Sequence, residues 1–196
     1  LAAVLEQMGR TLLCSPFFST VCLGAHSLLV AGTDAQKNEY LPQIVEGALT
    51  ATLAYTGKQA AHGGGTWGAD AVQATYKKSG NDYVLNGTLR YVIDGHTADL
   101  LIIAARTENS QGAKGISLFA VPASTAGITR KWLPTMDQTR HQAEITLNNV
   151  SIPASTLMGT EAQAWPQLQK IISLAKIAVS AEQMGEVDAL LKKKWS

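Results

Sequence analysis

An α+β chain is predicted, with helices at both ends and an antiparallel β-barrel or sandwich between them. Two observations carry this. Apolar residues repeat with helical spacing up to Ala48, with period two from there to Val150, and with helical spacing again from Pro166. The alternating stretch is also rich in β-branched residues and cut at short, regular intervals by Gly, Pro and Asn turn chemistry, which suits many short strands. The expected organisation is residues 1–48 as the end of an N-terminal helical domain, 49–156 as a middle β-domain, and 157–196 as the start of a C-terminal helical domain.

Leu1, Val4, Leu5, Met8 and Leu12 form one helical stripe, so the chain opens inside an amphipathic helix with no preceding cap and reads as a partial chain. Ser15-Pro16 should break that helix, and Val21 to Val30 predicts a second. Thr33-Asp34-Ala35-Gln36 reads as a capping box for a third short helix, in which Thr33 accepts from the backbone while Gln36 reaches back. Pro42 implies that this helix stops near Tyr40 or restarts with the proline in its first turn.

Strand candidates are Leu49 to Tyr55, Val72 to Lys77, Tyr83 to Leu85, Leu89 to Ile93, Leu100 to Arg106, Ile116 to Val121, Gly127 to Leu133 and Ala143 to Leu147. Asn86-Gly87 and Asp94-Gly95 join three of these runs, which predicts a β-meander between Asp82 and Arg106. Pro166 then opens a final helix with Leu168, Ile171, Ile172, Ala175 and Val179 on one stripe. Neither flanking helical piece is large enough to close a core of its own, so exposed apolar faces are expected.

A chain of 196 residues with 46% apolar and 16% charged residues is globular in composition, and a formal charge of +1 gives no electrostatic basis for a nucleic-acid partner. Cys14 and Cys22 stand eight apart on what reads as a helical segment, which is neither a redox nor a zinc spacing, so reduced, buried cysteines of a cytoplasmic protein are expected. No apolar run approaches ~18 residues, so no membrane span is predicted, and the first residues lack the features of a secretory leader. Asn86-Gly87-Thr88 and Asn149-Val150-Ser151 match the glycosylation pattern in spelling and read as turns.

His26, His62, His96 and His141 lie in unrelated segments with no partner at ligand spacing, so no metal site is predicted. No Ser or Cys has a local candidate base. Gly63-Gly64-Gly65 lacks the Lys-Ser/Thr ending of a phosphate loop and the spacing of a dinucleotide fingerprint, and reads as a flexible loop.

Several segments, in order, resemble the acyl-CoA dehydrogenase family: LEQMGRTLLCSPF (Leu5–Phe17), GTDAQKNEYLPQIVEGALTATLAYT (Gly32–Thr56), YVLNGTLRYVIDGHTADLLIIAAR (Tyr83–Arg106), GISLFAVP (Gly115–Pro122) and EITLNNVSIP (Glu144–Pro153) ahead of Leu157-Met158-Gly159. Trp67-Gly68-Ala69-Asp70, Val92-Ile93-Asp94-Gly95 and Thr135-Met136-Asp137-Gln138-Thr139-Arg140 resemble a divergent, actinobacterial-type branch, often assembled from unlike subunits of which one can lack the catalytic base.

The resemblance implies an FAD-dependent α,β-desaturation of an acyl-CoA thioester, homo- or hetero-oligomers of related subunits, and a separate electron-transfer acceptor. It places Tyr55 and Thr56 at the flavin's pyrimidine edge and Thr66 near the pyrophosphate. Tyr91, Val92 and Ile93 fall on the family's Trp-Ile-Thr flavin contact, where Tyr91 keeps an aromatic ring and Ile93 lacks the hydroxyl. Gly57-Lys58-Gln59 replaces the family's Glu-Pro-Gly, and the connection to Tyr83 is longer than usual. No catalytic residue is identified. Ala175 falls where the isovaleryl and long-chain branches place a glutamate base, and Glu182 and Glu186 are expected to be surface charges. The implied alternative is a non-catalytic partner subunit of a heteromeric enzyme.

Overall fold

The computed structural model describes residues 1–57 and 68–194. Helix α1 (Ala2–Arg10) buries Leu5 and Met8, two members of the predicted stripe. The chain then turns at Leu12, where φ is 48°, and the next helix begins at Pro16, whose carbonyl accepts from Thr20 N at 2.9 Å. Proline suits a helix start because its missing N–H would have no intrahelical partner there. The helix is wound with π-type spacing over Phe18–Ala25 and continues directly into α2 (His26–Ala31). Cys14 lies in the turn ahead of it and is exposed; only Cys22 is buried, which corrects the expectation for both.

Helix α3 (Asp34–Val45) opens on the predicted capping box: Gln36 N donates to Thr33 Oγ1 at 3.2 Å and Thr33 N donates to Gln36 Oε1 at 3.0 Å. The buried Gln36 also donates through Nε2 to the carbonyls of Ser155 and Leu157, so one side chain caps the helix and pins it to the β-region. The helix neither stops at Tyr40 nor restarts, but runs through Pro42. Pro42 and Asn38 are both exposed, so water can serve the Asn38 carbonyl that the proline leaves without its helical donor.

The strands are β1 (Ala51–Ala54), β2 (Thr75–Ser79), β3 (Asp82–Ile93), β4 (Leu100–Thr107), β5 (Ile116–Pro122), β6 (Ile128–Leu133), β7 (Gln142–Ile152) and β8 (Leu157–Met158). They form one sheet in the order β6-β7-β3-β2-β4-β5-β8, with β1 paired to β4. The sheet is mixed, because β4 runs parallel to both β1 and β2, and it does not close into a barrel.

The predicted meander is wrong in its turns. The hairpin lies earlier, at Gly80-Asn81 between β2 and β3, where Gly80 takes φ +63° and Ser79 pairs with Asp82. Asn86-Gly87 sits inside a continuous β3 at a bulge, where Asn86 alone faces Asn148 and Asn149 of β7. Asn86 Oδ1 accepts from Asn149 N at 2.8 Å, and a Cβ on Gly87 would stand 2.9 Å from Ala74 Cα. Asp94-Gly95 does turn the chain, but β3 and β4 are not paired with each other.

Two cores result. Leu100, Ile102 and Ala104 of β4 join a core with the helices, whereas Leu101, Ile103 and Ala105 join a second one with β3, β5 and β7. Burial on both faces explains why β4 reads as a continuous apolar run rather than an alternation. Phe119, Tyr76 and Tyr83 meet edge to face or tilted in the second core, with centroids 5.2 to 5.7 Å apart.

Helix α4 (Trp165–Lys194) begins as predicted with Pro166 in its first turn and buries Leu168, Ile171, Ala175 and Ala178. It crosses α1 antiparallel, Gly9 against Glu182 and Gly185 against Glu6, backbone against backbone. Its far side leaves Ile177, Met184, Val187, Leu190 and Leu191 exposed, the kind of apolar face expected from the sequence. Among the described residues no helix is long and apolar enough to cross a membrane, and no group of His, Cys, Asp and Glu could hold a metal ion.

Candidate functional site

The site grows from three hydrogen bonds that lay the β1 segment beside the end of β3. Thr52 Oγ1 donates to the Ile93 carbonyl at 2.6 Å, Thr56 Oγ1 donates to the Arg90 carbonyl at 2.5 Å, and Arg90 N donates to the Thr56 carbonyl at 2.9 Å. Gly57 adds an antiparallel bridge to Leu89. Threonine-rich and tyrosine-bearing segments more than thirty positions apart in sequence thereby form one surface.

A second bulge shapes that surface. Leu89 pairs with Ile145 and Val92 with Ala143, so Arg90 and Tyr91 together face the single residue Glu144. Tyr91 takes φ +57°, an uncommon conformation for a bulky residue. The extra residue resets the alternation of the strand. Leu89 and Val92 both point into the second core, while Tyr91, 40% exposed, and Ile93 face the other way.

Above this surface is a cavity of about 700 Å³. Its floor is Leu53, Tyr55, Thr56, Tyr91 and Ile93. Its walls are Phe18 and Leu23 of the π-wound helix, Gln142 at the start of β7, and Ile172, Ala175 and Val179 of α4, with Lys176 and Ser180 from the same helix. Four of the six residues singled out in the sequence therefore converge here. Val92 does not line the cavity, being 2% exposed in the opposite core. Thr66, like Gly63-Gly64-Gly65 and His62, lies outside the described residues.

The polar groups of the cavity are few. The Thr56 hydroxyl spends its proton on Arg90, which leaves lone pairs able to accept. Burial pushes the Tyr55 hydroxyl up to about 12, so it stays protonated and able to donate. No carboxylate and no thiol is among the described lining residues. The Ala175 methyl stands on the cavity wall, and nothing in that lining can remove a proton from carbon near neutral pH.

Glu182, one of the two carboxylates expected on the surface, is only 18% exposed. It is bound to Arg140, Nη2 to Oε2 at 2.5 Å, and the Arg140 guanidinium lies over the Phe18 ring at 4.4 Å. Nothing in the local sequence signals this contact, because Arg140 comes from the loop before β7. Phe18, Leu23 and Gln142 were missed for the same reason: each is an ordinary apolar or amide residue until distant segments meet.

Residues 60–150 match the family model described as the acyl-CoA dehydrogenase middle domain. A short-chain-specific acyl-CoA dehydrogenase of Megasphaera elsdenii is 29% identical over 175 residues, 88% of this chain and 45% of that one. The chain is similar to the acyl-CoA dehydrogenase family over most of its length. A 3-(aryl)acrylate reductase of Clostridium sporogenes is 31% identical over 176 residues, 85% of this chain and 43% of that one. The structure of PigA with FAD and proline superposes with a TM-score of 0.87 at 26% identity, covering 98% of this chain and 50% of that one. The chain thus spans about half the length of the curated relatives it matches.

Proposed function

We propose that the chain is the flavin-facing part of an FAD-dependent acyl-CoA dehydrogenase that desaturates an acyl-CoA thioester between its α and β carbons. The convergence of Tyr55, Thr56, Tyr91 and Ile93 on one mostly apolar cavity carries this reading. At about 700 Å³ it falls within the ~300–1,000 Å³ typical of small-molecule sites, and its aromatic and aliphatic floor suits a flat ring system. In this reading Tyr91 lies against the ring, Tyr55 and Thr56 meet its polar edge, and Ile93 contributes apolar contact without a hydrogen bond. Val92 only supports them from behind, and Thr66 is retained as a pyrophosphate contact on resemblance alone.

FAD, when bound, supplies the acceptor for the hydride that leaves the β carbon. The protein's part is alignment: α4 and Phe18 close the apolar side of the cavity, which excludes water from the acyl chain. Loss of the α-proton needs a carboxylate that the described lining does not provide, so the base must come from another part of the assembly. A soluble acceptor for the electrons, a cytoplasmic location and association with acyl-CoA dehydrogenase-like subunits belong to the same proposal.

A second reading, a non-catalytic partner subunit, is favoured by the alanine at 175 and the isoleucine at 93. One experiment separates the two. The purified chain is mixed with FAD and acyl-CoA, and its visible spectrum is recorded alone and with a related subunit. Retained oxidised flavin in the chain alone, diminished in Tyr91→Ala, supports the first reading. Flavin retained only with the second subunit supports the partner reading, and no flavin in either case refutes both.

A further inference from the structure

Two of the three aromatic side chains that line the cavity are backed in the same way. The Arg90 guanidinium lies over the Tyr91 ring, 5.5 Å from its centroid, and Arg90 Nε is 3.0 Å from Glu144 Oε2. The Arg140 guanidinium lies over Phe18 at 4.4 Å and is held by Glu182 at 2.5 Å. All four charged side chains are less than a third exposed. Ion pairs of this kind, removed from bulk water, are screened far less than surface ones.

The chemistry of the arrangement is specific to arginine. A guanidinium is planar and weakly hydrated, so it stacks on a ring while its edge pairs with a carboxylate; a lysine would offer only a point charge. A cation over one face of a ring favours a fixed ring tilt, because the attraction depends on its position over that face. Tyr91 needs such a hold, because it projects from a bulge at positive φ and is 40% exposed. Arg90 does more, since its backbone also makes both hydrogen bonds to Thr56. Arg140 links three pieces: the π-wound helix, the loop before β7, and α4.

We propose that Arg90 and Arg140 are positioning residues, which fix the Tyr91 and Phe18 walls of the cavity at the tilt and separation that admit a flat, conjugated ring. The inference rests on the flavin reading of the cavity for the identity of that ring, but the positioning itself is a property of the unliganded chain. Glu182 acts through Arg140 by the hydrogen bond that holds its guanidinium plane, and Glu144 gives Arg90 a counter-charge at ion-pair distance.

The test uses the full chain with Arg90→Gln, Arg90→Lys, Arg140→Gln and Arg140→Lys. Lys78→Gln serves as the control, because it removes an ion pair with Glu161 and a cation near the Tyr83 ring, and none of these residues lines the cavity. FAD is titrated by absorbance, and the visible circular dichroism of the bound flavin reports the asymmetry of its surroundings. Each glutamine variant should weaken binding roughly threefold to tenfold and change the dichroism. The lysine variants should recover only part of each signal, and Lys78→Gln should match wild type. Wild-type affinity and dichroism in both glutamine variants, whatever their melting temperatures, overturn the proposal while leaving the flavin reading intact.

Aromatic NMR of the chain without ligand reads the positioning directly. The ring resonances of Tyr91 in Arg90→Gln and of Phe18 in Arg140→Gln should move toward random-coil values and sharpen as the rings gain freedom. Should wild type bind no FAD, that movement still upholds the positioning role while the flavin reading fails. Unmoved resonances overturn the role independently of any cofactor.

Discussion

Replacing Gly185 by alanine tests the packing that holds α4, and with it one wall of the cavity, against the rest of the molecule. A Cβ at Gly185 would lie 2.7 Å from the Glu6 carbonyl carbon and closer still to its oxygen, and a Cβ at Gly9 would lie 2.8 Å from the Glu182 carbonyl carbon. Both obstacles are backbone atoms, so no rotamer change relieves them and the helices must separate. Helix propensity alone favours alanine by about 1 kcal/mol. Overpacking costs ~1–3 kcal/mol, and an unyielding backbone neighbour puts this site at the upper end. The ceiling is full undocking of α1, which would expose Leu5 and Met8 at ~1.5–3 kcal/mol each. The balance is a net loss of about 2 kcal/mol in Gly185→Ala. Urea denaturation followed by tryptophan fluorescence measures it, with far-ultraviolet dichroism confirming that helix content is kept. Gly9→Ala together with Gly185→Ala should cost less than the sum of the two, because the first methyl already opens the crossing. A Gly185→Ala chain as stable as wild type, or more so, would mean that propensity wins and that the two backbones are not in contact.

Three further outcomes follow from single groups. Thr56→Val removes a part-buried hydroxyl and leaves the Arg90 carbonyl without that donor, for a loss of about 1 kcal/mol in urea; an unchanged midpoint would mean that the two strands are not stitched there. Burial pushes the Cys22 thiol up to about 11 whereas Cys14 is exposed, so iodoacetamide at neutral pH should add one group to the native chain, at Cys14, and two after denaturation. Native labelling at Cys22, read by peptide mass, would contradict its burial. Desolvation, reinforced by the neighbouring His141, holds the His96 pKa below its ordinary value, so the folded chain binds that proton less readily than the unfolded one. The stability tied to His96 is therefore complete above the ordinary histidine pKa of about 6.5 and is lost as pH falls from there toward the depressed folded value. A His96 NMR titration with its midpoint at or above 6.5 would reverse that sign.

Features resting on neighbouring residues were legible in the sequence. The Thr33–Gln36 capping box, the start of α4 at Pro166 and most strand positions depend on local spacing, and the structure has them, whereas Leu1, Val4 and Leu12 of the first predicted stripe are exposed. What failed depended on pairing. Asn-Gly and Asp-Gly are the usual dipeptides of tight hairpins, yet Asn86-Gly87 serves a bulge. There Asn86 is spent on Asn149, and Gly87 is needed for the close approach of Ala74. Gly80-Asn81, with the less common order, makes the hairpin instead. Only the partner strand distinguishes a turn from a bulge, and the partner strand is more than sixty positions away. The same limit applies to Gly9 and Gly185, whose role shows only where the two helices cross.

The candidate site divides along the same line. The Tyr55-Thr56 and Tyr91-Val92-Ile93 segments could be found from motif resemblance, but which of their side chains share a surface could not. A strand with strict alternation through Leu89 would turn Tyr91 and Ile93 inward and Val92 outward. The two-against-one pairing opposite Glu144 reverses this, putting Tyr91 and Ile93 in the cavity and Val92 in the core. The bulge also places Arg90 where its backbone reaches Thr56 and its guanidinium reaches the Tyr91 ring. Deleting Arg90 would therefore do more than remove a charge: it would restore a regular ladder with Tyr91 and Ile93 still facing the cavity, but without the backbone bonds to Thr56 or the cation beside the Tyr91 ring. The facing of the aromatic floor is thus set by the pairing of Val92 with Ala143, and the extra residue supplies the contacts that hold that floor to β1.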